Sequence, residues 1–397
     1  MLDLANPPTG FIDDPFPYYA QLREQAPVCL QPDGSVLLSR YADLNRVYRD
    51  TALFLSDKKP LFGPKFGEDT PLYRHHTTSL VFNDPPLHTR VRQVMVGALS
   101  PRALERLEPG LEVLVESLLD QLEPEGSPDL IEEFAGAIPV EVIGNLLAVP
   151  LDMRGDLRRW SLAILGALEP RPTKETLEDG HRAVEEFSRL MDEIIAHRRT
   201  LPGDPKTDVL TRLLSADGEA ALSGEELVQN CIFILNAGHE TTTNLIGNGL
   251  ALIDAHPGLR RQCLAEPKMM PGLVEEILRL ESPNQFGNRL TSADVEIGGI
   301  AVPAGTDLHL AIGAANRDPA AFNDPDRPDP TRRPNRHLAF AGGPHTCVGL
   351  TLARMEGRIA LSRFLDRFPD FTICPEAVRS PRLRFRGFAC LPAMLAP

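Results

Sequence analysis

The chain has 397 residues, of which 42% are hydrophobic and 24% are charged, a composition that is ordinary for a globular protein. The formal net charge of −14 argues against a nucleic-acid surface, which needs basic stripes. The first residues form neither a basic region nor an apolar core, and no uncharged run is long enough to cross a bilayer. A soluble, cytoplasmic protein that does not enter the membrane is therefore expected.

A single domain over residues 1–397 is expected, because no linker, repeat or low-complexity run marks a boundary. The six cysteines are scattered without a CxxC pair, which indicates neither a disulfide framework nor a zinc site.

The first elements are predicted from periodicity and turn residues: a helix over residues 16–24, strands over 28–30 and 35–39, and a helix from residue 41. The two strands flank the turn Pro32-Asp33-Gly34, so they form a small hairpin. Residues 58–84 are rich in Pro, Gly and aromatic side chains without periodicity, and we interpret them as a long loop. Leu80 in this loop is a candidate wall of a binding pocket.

A helix is predicted to begin in the stretch Asp84-Pro-Pro-Leu-His-Thr-Arg-Val-Arg92, because Pro is tolerated in a first helical turn. His88 and Arg92 are four residues apart and share one helix face. That face is either a solvated basic surface or an anion-binding site.

Further helices are predicted over residues 103–121, 139–147 and 178–199, where apolar residues recur at three- and four-residue spacing. Residues 156–172 indicate an amphipathic helix followed by a loop. Together with a hairpin predicted over Val295–Gly305, these patterns favour a mainly α fold with small β-sheets, of the α+β class.

The longest predicted helix starts at the capping box Ser223-Gly-Glu-Glu226 and ends before Pro257. Apolar residues on several sides, Phe233 among them, indicate that it is buried. Its middle, Asn236-Ala-Gly-His-Glu-Thr-Thr-Thr243, has a glycine and clustered polar groups that a buried helix should avoid. Such local violations concentrate at functional sites. Asn236 faces either a substrate or its own helix.

Glu276 and Arg279 lie three residues apart in Val274-Glu-Glu-Ile-Leu-Arg279. Such a pair is most often an exposed ion pair that contributes little. The chain then runs through Gln285, Phe286 and Arg289 into the predicted hairpin.

Cys347 lies in the bent loop Phe340-Ala-Gly-Gly-Pro-His-Thr-Cys-Val-Gly349, just before a helix predicted over Leu350–Phe368. A loop of free N–H groups and a helix N-terminus both favour a thiolate, so Cys347 is a candidate metal ligand. A buried structural cysteine is the alternative.

Four of these stretches resemble signatures of the cytochrome P450 family, in the right order. The cysteine loop is similar to F-x-x-G-x-x-x-C-x-G, residues 84–92 to D-P-P-x-H-x-x-x-R, residues 237–242 to [AG]-G-x-[DE]-T-[TS], and residues 276–279 to ExxR. The resemblance runs from about Asp14 to the end. It implies the cytochrome P450 fold, with haem between the long central helix and the cysteine loop with its following helix.

The resemblance also implies roles for individual residues. Cys347 would be the axial ligand of the haem iron, Glu240 the proton-relay acid, and Thr241 the hydroxyl that manages protons for bound oxygen. Glu276 and Arg279 would lock into a buried network with a partner near Asn335-Arg336. The other implied haem contacts are His88, Arg92, Arg289, His345, Phe340, Gly342, Ala237 and Gly349. The candidate pocket residues are Asn236, Phe233, Gln285, Phe286, Phe388 and Leu80.

The implied function is a haem-thiolate monooxygenase that inserts one oxygen atom from O2 into a small or medium-sized, largely apolar substrate. The implied cofactor is haem b without an intrinsic flavin, since no flavin or iron–sulfur segment is recognisable. A separate ferredoxin with an NAD(P)H-dependent reductase would donate electrons to a monomeric haem domain. The rival hypotheses are a peroxide-driven or rearrangement enzyme, a haem protein that only binds a ligand, and a helical scaffold without haem.

Overall fold

The computed structural model of the chain describes residues 2–99, 104–122, 126–205, 208–216, 218 and 221–396. Most of the described chain is helical. The α-helices are α1 Phe16–Gln25, α2 Tyr41–Arg49, α3 Lys59–Phe66, α4 Pro71–Thr78, α5 Leu87–Ala98, α6 Glu108–Gln121, α7 Ala137–Leu146, α8 Leu157–Gly166, α9 Lys174–Thr200, α10 Val209–Leu214, α11 Gly224–Ala255, α12 Pro257–Ala265, α13 Met270–Leu280, α14 Ile312–Ala315 and α15 Leu350–Arg367.

The strands are short. They are β1 Val28–Leu30, β2 Val36–Leu38, β3 Phe54–Leu55, β4 Phe286–Thr291, β5 Val295–Ile297, β6 Ile300–Val302, β7 Asp307–Ala311, β8 Thr372–Ile373, β9 Val378–Arg379, β10 Phe388–Cys390 and β11 Ala393–Met394. Single 3-10 turns occur at Leu80–Phe82, Leu151–Met153, Pro267–Met269 and Gly343–His345, and a π-turn at Ile131–Ala135. The predicted mainly α fold with small sheets is confirmed.

The largest sheet has the strand order β1-β2-β7-β4-β3. The predicted hairpin forms its edge: β1 and β2 pair antiparallel, and Gly34 takes the positive φ of 85° that the turn needs. Strand β7 then joins β2 in parallel and β4 antiparallel. The predicted second hairpin is the separate pair β5–β6.

The predicted long loop over residues 58–84 is wrong, because the chain forms α3, α4 and a 3-10 turn there. Each α-helix has a proline in its first turn, and the Thr70 hydroxyl caps α4 by accepting a hydrogen bond from the Tyr73 N–H. Both helices have only 8 residues. Two turns are too short to show a helical period in the sequence.

Helix α11 is the centre of the molecule. The capping box that the sequence predicts is present, with the Ser223 hydroxyl and the Glu226 carboxylate each accepting a hydrogen bond from the other residue's backbone N–H. Its 32 residues span about 48 Å at the usual helical rise. The helices that pack against α11 are α4, α7, α8, α9, α10, α12, α13 and α15. In the described part of the chain, none of the helices is long and apolar enough to cross a bilayer.

A fully buried ion pair fixes the segment that leads to the cysteine loop. Glu276 and Arg279 on α13 are both 0% exposed and join through two hydrogen bonds of 2.8 Å. Arg332 Nε and Asn335 Nδ2 also donate to Glu276, at 3.2 and 2.9 Å. The sequence placed the partner near Asn335-Arg336. Asn335 does contact Glu276, but Arg336 is exposed and the arginine that reaches the carboxylate is Arg332.

Replacing Arg279 by alanine should lower the free energy of unfolding by about 3–5 kcal/mol, because the Glu276 carboxylate would stay buried without its main counter-charge. Arg261→Ala on the exposed side of α12 is the control and should stay within about 0.5 kcal/mol of the parent. Denaturant unfolding followed by circular dichroism measures both. Equal effects of the two substitutions would contradict a central role for the pair.

Candidate functional site

A stripe of α11 remains open although most of the helix is buried. Ala237 is exposed, and Phe233, Ile234 and Thr241 are partly exposed, whereas Asn236 and Glu240 are buried. The open positions recur at three- and four-residue spacing, so they share one helix face. Although α11 lies in the centre of the domain, one of its faces is therefore accessible to solvent.

Two threonines on α11 make the same local bond but differ in exposure. The Thr241 hydroxyl donates to the Ala237 carbonyl at 2.6 Å, and the Thr243 hydroxyl donates to the His239 carbonyl at 3.0 Å. Thr241 lies on the open stripe, while Thr243 is 5% exposed. Only the Thr241 hydroxyl can therefore be offered to a bound molecule.

Glu240 is a buried acid with one cationic partner. Its Oε2 accepts a hydrogen bond from Arg382 Nη1 at 2.6 Å, and Arg382 Nη2 donates to the Leu162 carbonyl at 2.8 Å. Burial raises the pKa of Glu240 to about 7; the Arg382 charge opposes this and Glu169 adds to it. An acid with that pKa can both accept and release a proton near neutral pH. Sequence reasoning missed Arg382, which lies far from Glu240 in the chain and within no motif.

The cysteine loop presents Cys347 at its end. The Cys347 N–H donates to the Phe340 carbonyl at 3.0 Å, and the Phe340 ring lies under the Arg354 guanidinium, 4.7 Å from ring centroid to Cζ. Cys347 keeps an exposed surface. Protein atoms packed around the sulfur raise the pKa of the thiol, whereas the Gly349 N–H and the charges of Arg92 and Arg354 act in the opposite direction.

The backbone of the loop requires glycine at Gly343 rather than at its neighbour Gly342. Gly342 has an extended φ of −159°, which any residue can adopt. Gly343 has a φ of 65°, and a Cβ atom there would lie 2.2 Å from the Tyr48 carbonyl oxygen. The F-x-x-G spacing counted from Phe340 also falls on Gly343, and this count was the signal that could have found it.

One apolar cluster joins the open stripe to the cysteine loop. Leu80, Val91 and Met95 are buried together, with Phe233, Ile234 and Val348 packed against them. Val348 directly follows Cys347, and Phe233 and Ile234 begin the open stripe of α11. The thiol and the stripe therefore border the same region.

Cationic groups collect beside this region. The His88 and His345 rings lie 4.0 Å apart between centroids, and Arg92 Nη2 donates to the Thr346 carbonyl at 2.7 Å. Burial, and then the charges of His345 and Arg92, lower the pKa of His88 to about 4. Asp84 lies 3.7 Å from His345 Nε2.

Three buried nitrogens of this group have no hydrogen-bond partner among the described residues: His88 Nε2, His345 Nε2 and Arg289 Nε. Buried donors normally find partners, so unpaired ones mark a place for an acceptor. The structure thus brings together four of the implied haem contacts, His88, Arg92, Arg289 and His345, and leaves a donor nitrogen of three of them unpaired.

The six candidate pocket residues separate into two groups. Leu80 and Phe233 belong to the cluster beside the open stripe, and the Asn236 amide nitrogen lies 3.4 Å from His75 Nε2 with its Oδ1 unpaired. Gln285 and Phe286 pack against the N-terminal helix α1. Both are buried 2% exposed against Tyr19, whose hydroxyl donates to Gln285 Oε1.

Phe388 lies beside a later part of α11. Its ring lies under Arg379, 3.9 Å from the guanidinium carbon, and near Gly247 on α11. Gly247 is almost two helical turns beyond Glu240, so Phe388 does not join the open stripe. Phe388 begins strand β10, and the sequence does not show which part of α11 this strand packs against.

The model of the family described as Cytochrome P450 matches residues 27–394. This chain belongs to the cytochrome P450 family. It is 35% identical to the vitamin D(3) 25-hydroxylase of Pseudonocardia autotrophica, over 98% of this chain and 95% of the relative. It is 34% identical to the 6-deoxyerythronolide B hydroxylase of Saccharopolyspora erythraea, over 95% of both chains.

Solved P450 structures share the whole fold. P450BioI in complex with an acyl carrier protein ligated to hexadec-9Z-enoic acid superposes with a TM-score of 0.90 at 30% identity, covering 98% of this chain and 100% of that one. CYP109E1 from Bacillus megaterium in complex with testosterone has a TM-score of 0.88 at 31% identity, covering 97% and 98%. The chain is a P450 monooxygenase, which uses haem and O2.

The residues present fit a haem group. A P450 haem needs a cysteine sulfur for its iron, an open surface on the opposite side and cations for its two propionates. The exposed Cys347 thiol, the open stripe around Ala237 and the unpaired nitrogens of His88, Arg289 and His345 meet these needs.

A second buried acid links the two helices on either side of this region. Glu356 on α15 is 2% exposed, and its Oε2 accepts a hydrogen bond from the Thr242 hydroxyl of α11 at 3.4 Å. Burial raises the pKa of Glu356 to about 8, with Thr242 opposing the shift. The side chain is therefore protonated in the folded protein at neutral pH.

Alanine at Gly343 should destabilise the P450 by about 2 kcal/mol or more and reduce haem content, because it puts a Cβ atom into a left-handed conformation and against the Tyr48 carbonyl. Gly342→Ala is the matched control: its Cβ would meet only the Tyr48 Cβ, at 3.4 Å. Thermal unfolding and haem absorbance measure both variants. Similar losses in the two would show that the loop does not depend on the Gly343 backbone.

Glu356→Gln should flatten the dependence of stability on pH. Between the ordinary pKa of 4.5 and about 8, the folded protein holds a proton on Glu356 that the unfolded chain releases. Stability therefore falls as pH rises through this window, by up to about 1.4 kcal/mol per pH unit. The variant should lose that slope in denaturant unfolding at a series of pH values, whereas Glu193→Gln on the exposed side of α9 should keep it. A parent-like slope in Glu356→Gln would refute the assignment.

Proposed function

We propose that this P450 inserts one oxygen atom from O2 into a small or medium-sized, largely apolar substrate, with Cys347 as the axial ligand of haem b. The observation that carries the proposal is that an exposed cysteine and the open stripe of α11 border one apolar cluster beside the unpaired nitrogens of His88, His345 and Arg289. Haem, when bound, supplies the oxygen chemistry, to which the cysteine thiolate contributes electron density.

Protons reach the site through Glu240 and Thr241. Glu240 has a pKa near neutrality and is held by Arg382, so it can take a proton from solvent and pass it on. Thr241 is the next residue and presents its hydroxyl on the open stripe. Its one proton is donated to the Ala237 carbonyl, so the hydroxyl can accept from a water there, and by rotating away from that carbonyl it can donate to a bound molecule. The protonated Glu240 carboxyl gives up the proton, becomes the carboxylate held by Arg382, and is protonated again from solvent, while the Thr241 hydroxyl positions the transfer.

The propionates are assigned to His88, Arg92, Arg289 and His345. Each has a donor group beside the site. Arg92 and Arg289 supply the positive charge, whereas His88 and His345, whose pKa values are lowered by burial, supply neutral N–H donors. Phe340, Gly342 and Gly349 form the loop around Cys347, and Ala237 leaves room on α11. Gly343 gives this loop its bend.

Leu80, Phe233 and Asn236 are the pocket walls that the structure supports. Two of these are apolar and the third offers an amide, which suits an apolar substrate with few polar groups. The relatives are named as hydroxylases of vitamin D(3) and 6-deoxyerythronolide B, and one P450 neighbour is in complex with testosterone. These names favour the same substrate class.

A ferredoxin with an NAD(P)H-dependent reductase is proposed as the electron donor. Of eight arginines around the cysteine loop, Arg332, Arg354, Arg358, Arg363 and Arg367 form ion pairs with glutamates or aspartates. The exposed Arg327, Arg333 and Arg336 remain to attract an acidic partner.

We further propose that the enzyme works as a single haem domain without its own flavin, as a monomer in the cytoplasm.

The buried Glu240–Arg382 pair and the exposed Thr241 hydroxyl speak against the peroxide-driven alternative, because peroxide brings its own protons and needs no relay. Turnover with peroxide, compared with turnover by ferredoxin, reductase and NAD(P)H, separates the two.

The thiolate-type absorption band of the reduced carbon monoxide complex should disappear in Cys347→Ser.

Thr241→Ala should reduce the fraction of consumed electrons that appear in product by about tenfold or more, because the relay loses its last donor. Thr243→Ala removes an equivalent hydrogen bond two residues further on, away from the open stripe, and should stay coupled. NADPH consumption and product are measured together, for a substrate identified by its shift of the haem absorbance. Unchanged coupling in Thr241→Ala would refute the relay.

A further inference from the structure

A cavity of about 460 Å³ lies outside the site described above. It is enclosed by the N-terminal segment, the β1–β2 turn, α3, the segment after α8, strands β4 and β7, and the C-terminal segment near Arg384. Its volume is within the usual range for small-molecule sites. No motif of the sequence points to it.

The inner wall of the cavity is cationic. Lys58, Lys65 and Arg384 all line it. Lys58 is 4% exposed and forms an ion pair with Asp307 at 2.6 Å. This pair is neutral overall, so the charge balance of the wall depends on the other two cations.

Lys65 and Arg384 donate to neutral oxygens. Lys65 Nζ donates to the Glu169 backbone carbonyl at 3.0 Å. Arg384 donates to the Leu168 and Phe286 carbonyls and to Asn288 Oδ1. Within the described residues, neither side chain forms an ion pair with a carboxylate.

The nearby carboxylates are engaged elsewhere. Asp33 accepts hydrogen bonds from the N–H and hydroxyl of Ser35, and Asp3 accepts from its own turn. The Glu169 carboxylate accepts from the backbone N–H groups of Leu383 and Arg384. Arg171, which also lines the cavity, is exposed and donates to the Ala5 carbonyl and Asn6 Oδ1. Among the described residues, the inner wall therefore holds two cations, Lys65 and Arg384, that form no ion pair, in a protein whose net charge is −14.

The charged groups around Lys65 add to this excess of positive charge. Burial, followed by the charges of Arg384 and Lys58, lowers the pKa of Lys65 to about 7, and Glu169 and Asp307 oppose the shift only in part. An ammonium in this setting gains from a nearby anion, because the anion offsets the neighbouring positive charges and part of the unfavourable effect of burial.

The cavity adjoins the haem site through one aromatic layer. Phe62 and Phe82 line it and pack edge to face, 5.0 Å between ring centroids. Phe82 and Leu80 belong to the same 3-10 turn, and Leu80 packs in the cluster with Phe233 and Val348. A molecule with its head in the cavity can thus direct an apolar body towards the open stripe of α11.

We propose that the substrate is an amphipathic carboxylic acid whose carboxylate binds in this cavity to Lys65 and Arg384, with its apolar body extending past Phe62 and Phe82. This inference rests on the proposed function and narrows its substrate class. Charge-assisted hydrogen bonds to an ammonium and a guanidinium discriminate strongly between an acid and its neutral ester.

The test compares acids with their methyl esters. Calorimetry with the haem-loaded protein measures binding of the straight-chain acids from octanoic to hexadecanoic acid and of deoxycholic acid, each against its methyl ester. At least one acid should bind about tenfold more tightly than its ester. Equal affinity within every pair, or no binding of any acid, would overturn the proposal.

Variants on α3 locate the effect. Lys65→Gln should remove most of the acid preference and leave ester binding unchanged. Lys59→Gln is the matched control, since Lys59 lies on the same helix but pairs with Asp57 at an exposed position. An acid preference that survives Lys65→Gln, or that Lys59→Gln removes equally, would place the carboxylate elsewhere.

A pH series gives a second readout. As pH rises above about 7, Lys65 loses its proton and the acid preference of the parent should decline. Lys65→Arg keeps its charge and should hold the preference to higher pH. Parallel pH profiles of parent and Lys65→Arg would contradict the role of Lys65.

The carbon monoxide spectrum of the same samples distinguishes failure of the proposed monooxygenase function from failure of the proposed acid substrate. Without a thiolate-type band the proposed function fails, whatever the cavity binds. With a normal band and no acid preference, only the inference about the substrate fails.

Discussion

The buried Glu276–Arg279 pair is the constraint on which the position of the cysteine loop depends. Two charges that have left water must be satisfied completely, or the fold loses several kcal/mol. Arg279 therefore takes the Asn316 carbonyl as a further acceptor, while Arg332 and Asn335 complete the shell of Glu276. Asn316 in turn accepts from the Leu338 N–H, just before the loop. Because α13 packs against both α11 and α15, this network fixes the Cys347 thiol relative to the open stripe.

The polar residues in the middle of α11 are the second feature on which the site depends. In a buried helix, each unpaired polar group lowers stability, and natural proteins keep such groups where function requires them. Here one acid is held by Arg382 from the C-terminal segment and another, Glu356, reaches α11 through Thr242. Their pKa values of about 7 and about 8 show how strongly burial acts in this region. The two acids with raised pKa values therefore lie on α11 or contact it, where helix packing causes their burial.

Groups that can bind an anion lie on both sides of strand β4. Arg289 lies with His88 and His345 beside the haem site, and the neighbouring residue Asn288 lines the cavity that contains Lys65 and Arg384. Successive side chains of a strand point to opposite faces, so one short strand serves both places. The anion site for a cofactor and that for a substrate head group would share the same structural support.

The sequence by itself determined the features that depend on neighbouring residues: the capping box at Ser223, the hairpin at Gly34, the motif around Cys347 and the mainly α fold. A local pattern is sufficient there, since hydrogen bonds and turns over a few residues have few alternatives. Only the tertiary structure decided that Arg332 rather than Arg336 reaches Glu276, and that Arg382 holds Glu240. It also placed Gln285 and Phe286 against Tyr19 and left Lys65 without a counter-ion. Such contacts join residues far apart in the chain, and packing of whole helices and strands decides which of many possible partners meet.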